Sequence, residues 1–572
     1  MKISTSIKHS VLGIAATCAL TFLASADEAA DERLKAAIQY DRLLEKHQLT
    51  GLSVAVIDDY EIIHLMGAGE KDYGTGAMVD ADTAFSTASV SKAITGLIAV
   101  MLVEQGVLNL DTPVSKYLKR WSLPESEFTR DRAITLRHLL THTAGTSQSG
   151  FADYYPGDDI PTLIESLNGE KLARYKEPIT IMWEPGQRFK YSGGGFVIAQ
   201  VAIEDVTGKA LPELAREMLF DPLEMRNTTM HQVGHKDFPK NVAKAHAFDR
   251  SHFGEGGVLI NPQQAAGGVW SSASDMAHLV LDMQKALAGK PSQVISPWVA
   301  KTVTSIQTFK KAGGWGLGWA RYEAQGNLDW FSHLGYNTGI GGAVMGSMEG
   351  GKAIIAFGNG VHRVRVPAIN EVIAKTIETL GWKQELQANE ASVPEDVRGR
   401  IVGHYRNLNT GYWSPFHEVV TIEYKDGSFW LDNSIKRRDP RKLIHIGEGR
   451  FKMDEFNGSE VTVEKNPSDQ SWYLTMSRKG MGAKGYALRK LAPGYKLPYD
   501  LVYEGQFDAA LAAYKAWKQE VPESSLLTLR NLLQEAAYAA DNNHQTIAKD
   551  FYRIALHFYP GNTEVLEKLK AM

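Results

Sequence analysis

The chain has 572 residues, of which 44% are hydrophobic and 22% charged, and its net charge is −4. These proportions are ordinary for a globular protein of two to four domains, and the charge balance gives no electrostatic reason to expect binding to nucleic acid. The single cysteine, Cys18, lies close to the N-terminus, so the remainder of the chain offers no disulfide, no thiol nucleophile and no thiolate metal site.

Residues 1–26 have the layout of an export signal. Lys2 and Lys8 give a positive start, Val11–Leu23 is a short apolar core, and Ala24-Ser25-Ala26 supplies small residues for cleavage. The apolar core is too short to cross a bilayer comfortably, although an N-terminal membrane anchor is the alternative. We therefore expect the protein to be exported, in the periplasm or secreted.

Residues 31–387 mix strand and helix patterns and are predicted to form one domain. The predicted elements, in chain order, are strands at Gly51–Asp58 and Glu61–Gly67, a helix at Val90–Gly106, strands at Gly342–Ser347 and Lys352–Asn359, and a helix at Pro367–Leu380. Strands at both ends with helices between them predict a single sheet built from the two ends of the domain.

The last third of the chain divides into three parts. Glu390–Arg398 is polar and is predicted to be a linker, and residues 398–492 alternate as short strands, which predicts a small β-barrel or sandwich. Residues 495–572 are predicted to be helical. Two stretches beginning at Gly505 and Asn543 resemble each other at an offset close to that of a tetratricopeptide (TPR) unit. A helical hairpin packed on the β domain is an equal alternative, because two such units are too few for a free-standing array.

The run Ser89-Val90-Ser91-Lys92 at the start of the first long helix is the strongest candidate for chemistry. Three residues are close to one helical turn, so Lys92 is expected to lie over Ser89. A buried amine can lose its proton and act as a base, while the helix N-terminus favours a developing oxyanion. The alternative is that Ser89 only caps the helix.

Several further segments, in order, resemble the β-lactamase and penicillin-binding family, in particular its class C and DD-peptidase branch. The matching segments are Phe85–Lys92, Ile134–Gly145, Pro185–Gly193 followed by Val206-Thr207-Gly208, Ala266–Ser272 with Asp275, and His333-Leu334-Gly335. The resemblance spans roughly residues 35–385. It implies an α/β (α+β) transpeptidase-like domain with an antiparallel sheet flanked by helices.

The resemblance also implies roles for individual residues. Ser89 would attack a carbonyl to form an acyl-enzyme, and Lys92 would take part in proton transfer. Tyr191 would relay the proton, which requires nearby cations such as Lys92 to lower its pKa. His333 would bind either a substrate carboxylate or Tyr191.

Two glycines frame the expected substrate cleft. The backbone N–H groups of Ser89 and Tyr336 would form the oxyanion hole, and Gly335 fits a strand that passes close to substrate. Gly193 departs from the family pattern, because the second motif usually ends in asparagine. A glycine at this place cannot hydrogen-bond a substrate amide and leaves more room, which argues against efficient β-lactam hydrolysis.

No metal or cofactor is expected. His138 and His142 have the best ligand spacing in the chain, yet no neighbouring acidic pair completes a site, which favours a structural role.

Three functions remain open. The first is a peptidase or amidase acting on peptides with D-residues or a free carboxylate, and the second is an esterase using the same residues. The third is a catalytically weak penicillin-binding or partner-binding protein, for which the helical tail is the candidate partner surface. The sequence does not define the oligomeric state.

Overall fold

The computed structural model describes residues 28–187, 189–308, 314–323, 328–382, 395–407, 418–433, 440–447, 449–453, 460–465, 471–477, 486–521 and 524–571. The predicted export signal and residues 390–394 of the predicted linker lie outside the described residues. The described residues up to 382, apart from 189–190, belong to a first compact unit, and those from 395 onward to a second.

The first unit is built on one eight-stranded antiparallel sheet. Its strands are β1 (Gly51–Asp58), β2 (Glu61–Asp72), β3 (Ala77–Met78), β6 (Gly314–Trp315), β7 (Ala320–Glu323), β8 (Asp329–Asn337), β9 (Ile340–Ser347) and β10 (Ala353–Asn359), while β4 (Phe85–Ser86) and β5 (Trp270–Ser271) pair separately. The strand order in the sheet is β3-β2-β1-β10-β9-β8-β7-β6. In the centre, β1 from the start of the chain pairs with β10, so that Gly51 faces Asn359. The prediction of a sheet built from both ends of the domain is therefore confirmed.

Helices cover both faces of this sheet. They are α1 (28–38), α2 (Tyr40–His47), α3 (Val90–Glu104), α4 (Leu136–Leu140), α5 (Leu163–Leu167), α6 (Gly193–Thr207), α7 (Leu211–Ala215), α8 (Gln264–Gly267), α9 (Ala273–Leu287), α10 (Pro297–Thr304) and α11 (His362–Thr379). Ala55 and Ile57 of β1 pack with α3, α6 and α9, whereas Val54 and Val56 pack with α1, α2 and α11. Alternate residues of one strand thus serve two cores, because side chains alternate between the faces of a sheet. The expected antiparallel sheet flanked by helices is confirmed.

Several predicted boundaries were wrong. The second strand was expected to end at Gly67 and continues to Asp72. The last helix of the unit begins at His362, before the proline, and Pro367 lies inside it. Pro367 is the sixth residue of the helix, so it removes a backbone N–H that would otherwise bond the Arg363 carbonyl. The helix continues through this position in its packing against β9 and β10. Part of the predicted linker is also ordered, since Glu395–Ile401 forms helix α12.

The second unit contains a closed eight-stranded barrel followed by helices. The strands are β11 (Gly403–Asn407), β12 (Val419–Lys425), β13 (Ser428–Asn433), β14 (Arg441–Gly447), β15 (Arg450–Met453), β16 (Glu460–Lys465), β17 (Trp472–Ser477) and β18 (Tyr486–Lys490). The tail helices are α13 (Pro498–Tyr503), α14 (Phe507–Glu520), α15 (Leu529–Asp541), α16 (Gln545–Phe558) and α17 (Thr563–Ala571). Of the two predicted β architectures, the barrel is the one formed.

The helical tail shares a core with the barrel. Val419 of β12 is buried with tail residues such as Val502 and Trp517. The tail therefore packs on the β domain, but the five helices described in it are more than a single hairpin. The TPR-like repeat stays a prediction. Among the described residues, no helix is both long enough and apolar enough to cross a membrane.

Candidate active site

Ser89 stands at the entrance to α3 with its hydroxyl available for chemistry. It is the N-cap residue, but its side chain accepts no capping hydrogen bond, so the alternative role as a simple cap is not what the geometry shows. From Thr83 to Leu102, Ser89 is partly exposed and all the remaining residues are buried. The preceding residue, Ala88, has a left-handed backbone with φ of 50°, a strained conformation typical of functional turns.

Lys92 lies one helical turn further along α3 and contacts the nucleophile candidate. Its Nζ is 3.1 Å from Ser89 Oγ and 2.6 Å from the carbonyl oxygen of Ala266. The side chain is 2% exposed, and burial lowers the pKa of its ammonium group to about 7. A large fraction of Lys92 is therefore neutral near pH 7 and can accept a proton.

Tyr191 lies just before α6 and faces both residues. The Lys92 Nζ is 4.9 Å from the centroid of the Tyr191 ring. Burial raises the pKa of the Tyr191 hydroxyl well above its ordinary value, against a smaller lowering by its hydrogen bond with Ser89. The expected lowering of the Tyr191 pKa by Lys92 is not found; only the hydrogen bond with Ser89 lowers it. Tyr191 can relay a proton, but it is poorly suited to be the base.

His333 on β8 is brought to the same cluster. Its ring centroid lies 6.3 Å from that of Tyr191, and its Nδ1 is 2.8 Å from the carbonyl oxygen of Leu334. Only 3% of the residue is exposed. Of its two expected roles, support of Tyr191 fits this burial better than direct contact with a substrate carboxylate.

Gly335 and Tyr336 follow on the same strand. A Cβ atom at Gly335 would lie 1.8 Å from the carbonyl oxygen of Thr87, so the strand passes directly against the segment that leads to Ser89. The reason for glycine is therefore contact with the protein itself, whereas the sequence-based expectation was contact with substrate. This approach brings the chain at Tyr336 close to the nucleophile segment.

Gly193 does not leave the room that was expected. A Cβ atom at this position would lie 3.0 Å from both the Phe151 ring and the carbonyl oxygen of Ser149. The Phe151 side chain therefore already occupies the space into which an asparagine would extend. Gly193 does lack the side-chain amide that an asparagine would supply, but Phe151 fills the space beside it.

His142 and Trp315 complete the cluster and were missed as site residues. The His142 ring centroid lies 4.3 Å from Tyr191 and 4.9 Å from Trp315, and the Trp315 centroid is 5.4 Å from His333. Burial holds the pKa of His142 well below its ordinary value, and the backbone N–H of Ser192 donates to its Nδ1. His142 lay within a segment singled out by the resemblance, whereas nothing in the sequence pointed to Trp315.

His138, the other histidine of the considered pair, has a structural task. Its side chain closes a capping box with Thr135 at the start of α4. It therefore serves the helix terminus, which fits the structural role favoured for it.

Two other groups of potential metal ligands lie among the described residues: Asp72, His246 and His252, and His231, His235 and Asp237. In each group a ring nitrogen already accepts a backbone N–H, at His246 from Tyr73 and at His235 from Asp237. A metal ion at either group would have to use the other ring nitrogen of that histidine or replace this hydrogen bond.

Comparison with known proteins identifies related sequences. The chain is 26% identical over 321 residues to penicillin-binding protein 4 of Amycolatopsis lactamdurans, covering 53% of this chain and 78% of that protein. It is 27% identical over 255 residues to the teichoic acid D-alanine hydrolase of Staphylococcus aureus, covering 43% of this chain and 57% of that protein. The chain thus spans little more than half the length of the staphylococcal protein.

The fold is also found among solved structures. An octameric penicillin-binding protein homologue from Pyrococcus abyssi superposes with a TM-score of 0.50 at 19% identity, covering 80% of this chain and 99% of that chain. The sequence matches the Beta-lactamase family over residues 34–377. The protein therefore belongs to the Beta-lactamase family, whose members are serine hydrolases.

Proposed function

We propose that the protein is an exported acyl-transfer hydrolase in which Ser89 is the nucleophile and Lys92 the general base. The observation that carries this proposal is the buried Lys92 amine, 3.1 Å from Ser89 Oγ, with its pKa lowered to about 7. A base is most effective when its pKa lies near the working pH. Tyr191, whose hydroxyl stays protonated, serves as the relay.

The proposed steps use these positions. Neutral Lys92 takes the Ser89 proton as the serine oxygen bonds to the substrate carbonyl carbon, and the carbonyl oxygen becomes negative. The N–H groups of Ser89 and Tyr336 stabilise this oxyanion. The bond to the leaving nitrogen or oxygen then breaks, and the proton passes through Lys92 and Tyr191 to the leaving group. Water, deprotonated by the same base, releases the acid and restores Ser89.

The favoured substrates are peptides or amides with a D-residue or a free carboxylate. Support comes from the relatives, which include a penicillin-binding protein and a D-alanine hydrolase. In this proposal His333, whose ring centroid lies 6.3 Å from that of Tyr191, supports Tyr191.

An ester substrate is the second candidate, and Gly193 favours it. No side-chain amide stands at this position to hold a substrate amide, and Phe151 fills the adjacent space. An ester is also easier to acylate than an amide. Comparing kcat/KM for p-nitrophenyl butyrate and for D-alanyl-D-alanine peptides separates the two candidates.

Labelling tests the nucleophile. A fluorophosphonate or penicillin probe should label the wild type, and Ser89→Ala should abolish labelling. Ser91→Ala is the matched control: the Ser91 hydroxyl is buried and bonded to the Ala88 carbonyl and the Val269 N–H, so this variant should still be labelled. Persistent labelling of Ser89→Ala refutes the assignment, and labelling without turnover would favour a binding protein.

A further inference from the structure

Arg365 is a charged side chain buried with little compensation. Its relative exposure is 0%, and Nη1 donates to the Gly360 carbonyl oxygen at 2.5 Å. Its Nε and Nη2 have no hydrogen-bond partner among the described residues. A guanidinium placed in this way costs stability, because it loses water without forming an ion pair. The charge of the Asp153 carboxylate offsets only part of the effect of burial on the Arg365 pKa.

The place of Arg365 in the helix adds to this cost. It lies in the fourth position of α11, and the first turn contains no acidic residue. Helix N-termini carry a partial positive charge and favour anions, so a cation is disfavoured there. Two independent costs at one residue indicate that its charge is retained for a function.

Arg365 lies directly behind the strand pair that carries Tyr336. A Cβ atom at Gly341 would be 3.3 Å from Arg365 Nη2, and Gly341 is paired with Tyr336 between β8 and β9. The guanidinium carbon is 5.9 Å from the centroid of the Tyr336 ring. The next residue toward the nucleophile, Gly335, touches the Thr87 carbonyl.

The charge persists at neutral pH and is shielded from solvent. Burial lowers the pKa of Arg365 to about 10, so the group stays protonated at pH 7. Water screens a fully buried charge weakly, and its field therefore extends further than that of a surface arginine. Burial also prevents a substrate from touching it.

We propose that Arg365 is a positioning residue for the oxyanion hole: its buried charge, behind the paired residues Gly341 and Tyr336, stabilises the negative oxygen that forms when Ser89 attacks a carbonyl. Fixed charges in a water-poor site act strongly on charge that develops in the transition state. This role rests on the proposed function, since it presupposes acylation at Ser89.

The test compares Arg365→Met and Arg365→Lys with p-nitrophenyl butyrate, a substrate without a carboxylate. Arg365→Met should lower kcat tenfold or more with KM within twofold, while its Tm stays equal to or above that of the wild type. Arg365→Lys should recover most of kcat. Arg363→Met is the matched control, because the Arg363 guanidinium is exposed and lies over Phe248, and its kcat should stay within twofold of the wild type.

Other outcomes overturn the role. An unchanged kcat in Arg365→Met refutes it, as does a loss confined to substrates with a carboxylate. If Arg365→Met loses several degrees of Tm and Arg365→Lys fails to recover kcat, the residue is structural. If the methionine variant does not fold, the same kcat, KM and Tm comparison is made on Arg365→Gln. Failure of wild-type labelling at Ser89 refutes the proposed function and this role together, whereas normal labelling with unchanged kcat in Arg365→Met refutes this role alone.

Discussion

At the scale of single residues, the main feature is how Lys92 is made a base. Its pKa is lowered by burial, with no cationic neighbour among the causes. The Ala266 carbonyl accepts one of its N–H groups, which fixes the amine without using its lone pair. That lone pair remains available to Ser89.

The dependence of kcat/KM on pH should show the titration of Lys92. Lys92 must be neutral to accept a proton, so kcat/KM should rise about tenfold per pH unit below pH 7 and level off above it. Lys92→Gln should lower kcat by roughly a thousandfold, within the range for loss of a general base. Steady-state rates with p-nitrophenyl butyrate between pH 5 and 9 measure both effects. A rise of kcat/KM centred above pH 9 would contradict a base with a pKa near 7.

Gly193 gives a prediction on packing. Gly193→Asn should destabilise the first unit by about 1–3 kcal/mol, because the new side chain overpacks against Phe151 and the Ser149 carbonyl. Adding Phe151→Ala should recover part of the loss, since the two sites are in contact and their effects are not additive. Thermal unfolding of the single and double variants measures this, and simple additivity would refute the contact.

The sequence could place Ser89, Lys92, Tyr191 and His333 because each lies in a short segment that resembles the family. It could not place what surrounds them. Trp315 comes from the two-residue strand β6 and Phe151 from a loop, neither with a recognisable sequence pattern, and they reach the site only through tertiary packing. The space beside Gly193 was wrongly expected to be open, because a sequence shows the absent side chain but not the neighbour that fills its place.

At the scale of elements, Glu418 joins the barrel to the tail. Its carboxylate, just before β12, accepts hydrogen bonds from Trp517 Nε1 at 2.7 Å, from Ser524 Oγ at 2.5 Å and from the Ser525 N–H at 2.7 Å. Buried donors left without this acceptor would be costly. The tail is therefore part of the fold of the second unit.

Loss of the hydrogen bonds to Glu418 should destabilise the helical tail. Glu418→Ala should destabilise it by roughly 3 kcal/mol, since several hydrogen bonds to a charged group disappear together. Glu520→Gln is the control, because Glu520 is exposed and pairs with Arg406 at the surface, where such a pair contributes less than about 1 kcal/mol. Hydrogen exchange over Phe507–Glu520 in the full chain measures both, and equal protection in the two variants would contradict the prediction.

Element boundaries were predictable only where local pattern and tertiary environment agree. The bounds of β1 were predicted correctly, because a hydrophobic run ends at a turn containing Asp59 and Tyr60. The start of α11 was misplaced because proline usually marks a helix start, and here packing against β9 and β10 extends the helix before it.

At the scale of the whole molecule, buried histidines make the free energy of unfolding depend on pH. Burial lowers the pKa of His138 and His246 to about 4, and also lowers that of His64 and His142. In the unfolded chain these rings take up protons near pH 6.5. Between pH 6.5 and about 4 the unfolded state binds more protons than the folded state, so the free energy of unfolding should fall as pH falls.

His138→Gln should weaken this acid sensitivity. Glutamine at this position can keep the capping box of α4 but does not titrate, so stability at pH 7.5 should be nearly unchanged and the loss at pH 5 smaller than in the wild type. Urea unfolding of the first unit at the two pH values measures the difference. An identical pH dependence in the variant would show that His138 does not contribute.

The pairing of β1 with β10 also sets the order in which the protein can form. The central ladder joins Gly51 to Asn359, so the innermost strand has no partner on that side until nearly all of the first unit has been synthesised. Contacts between such distant parts of a chain close slowly. The core around helix α3, which carries the nucleophile, is completed by β9 and β10, so this helix is fully packed only late. A nascent chain that ends before residue 353 therefore carries Ser89 and Lys92 without the complete sheet that brings His333 to them.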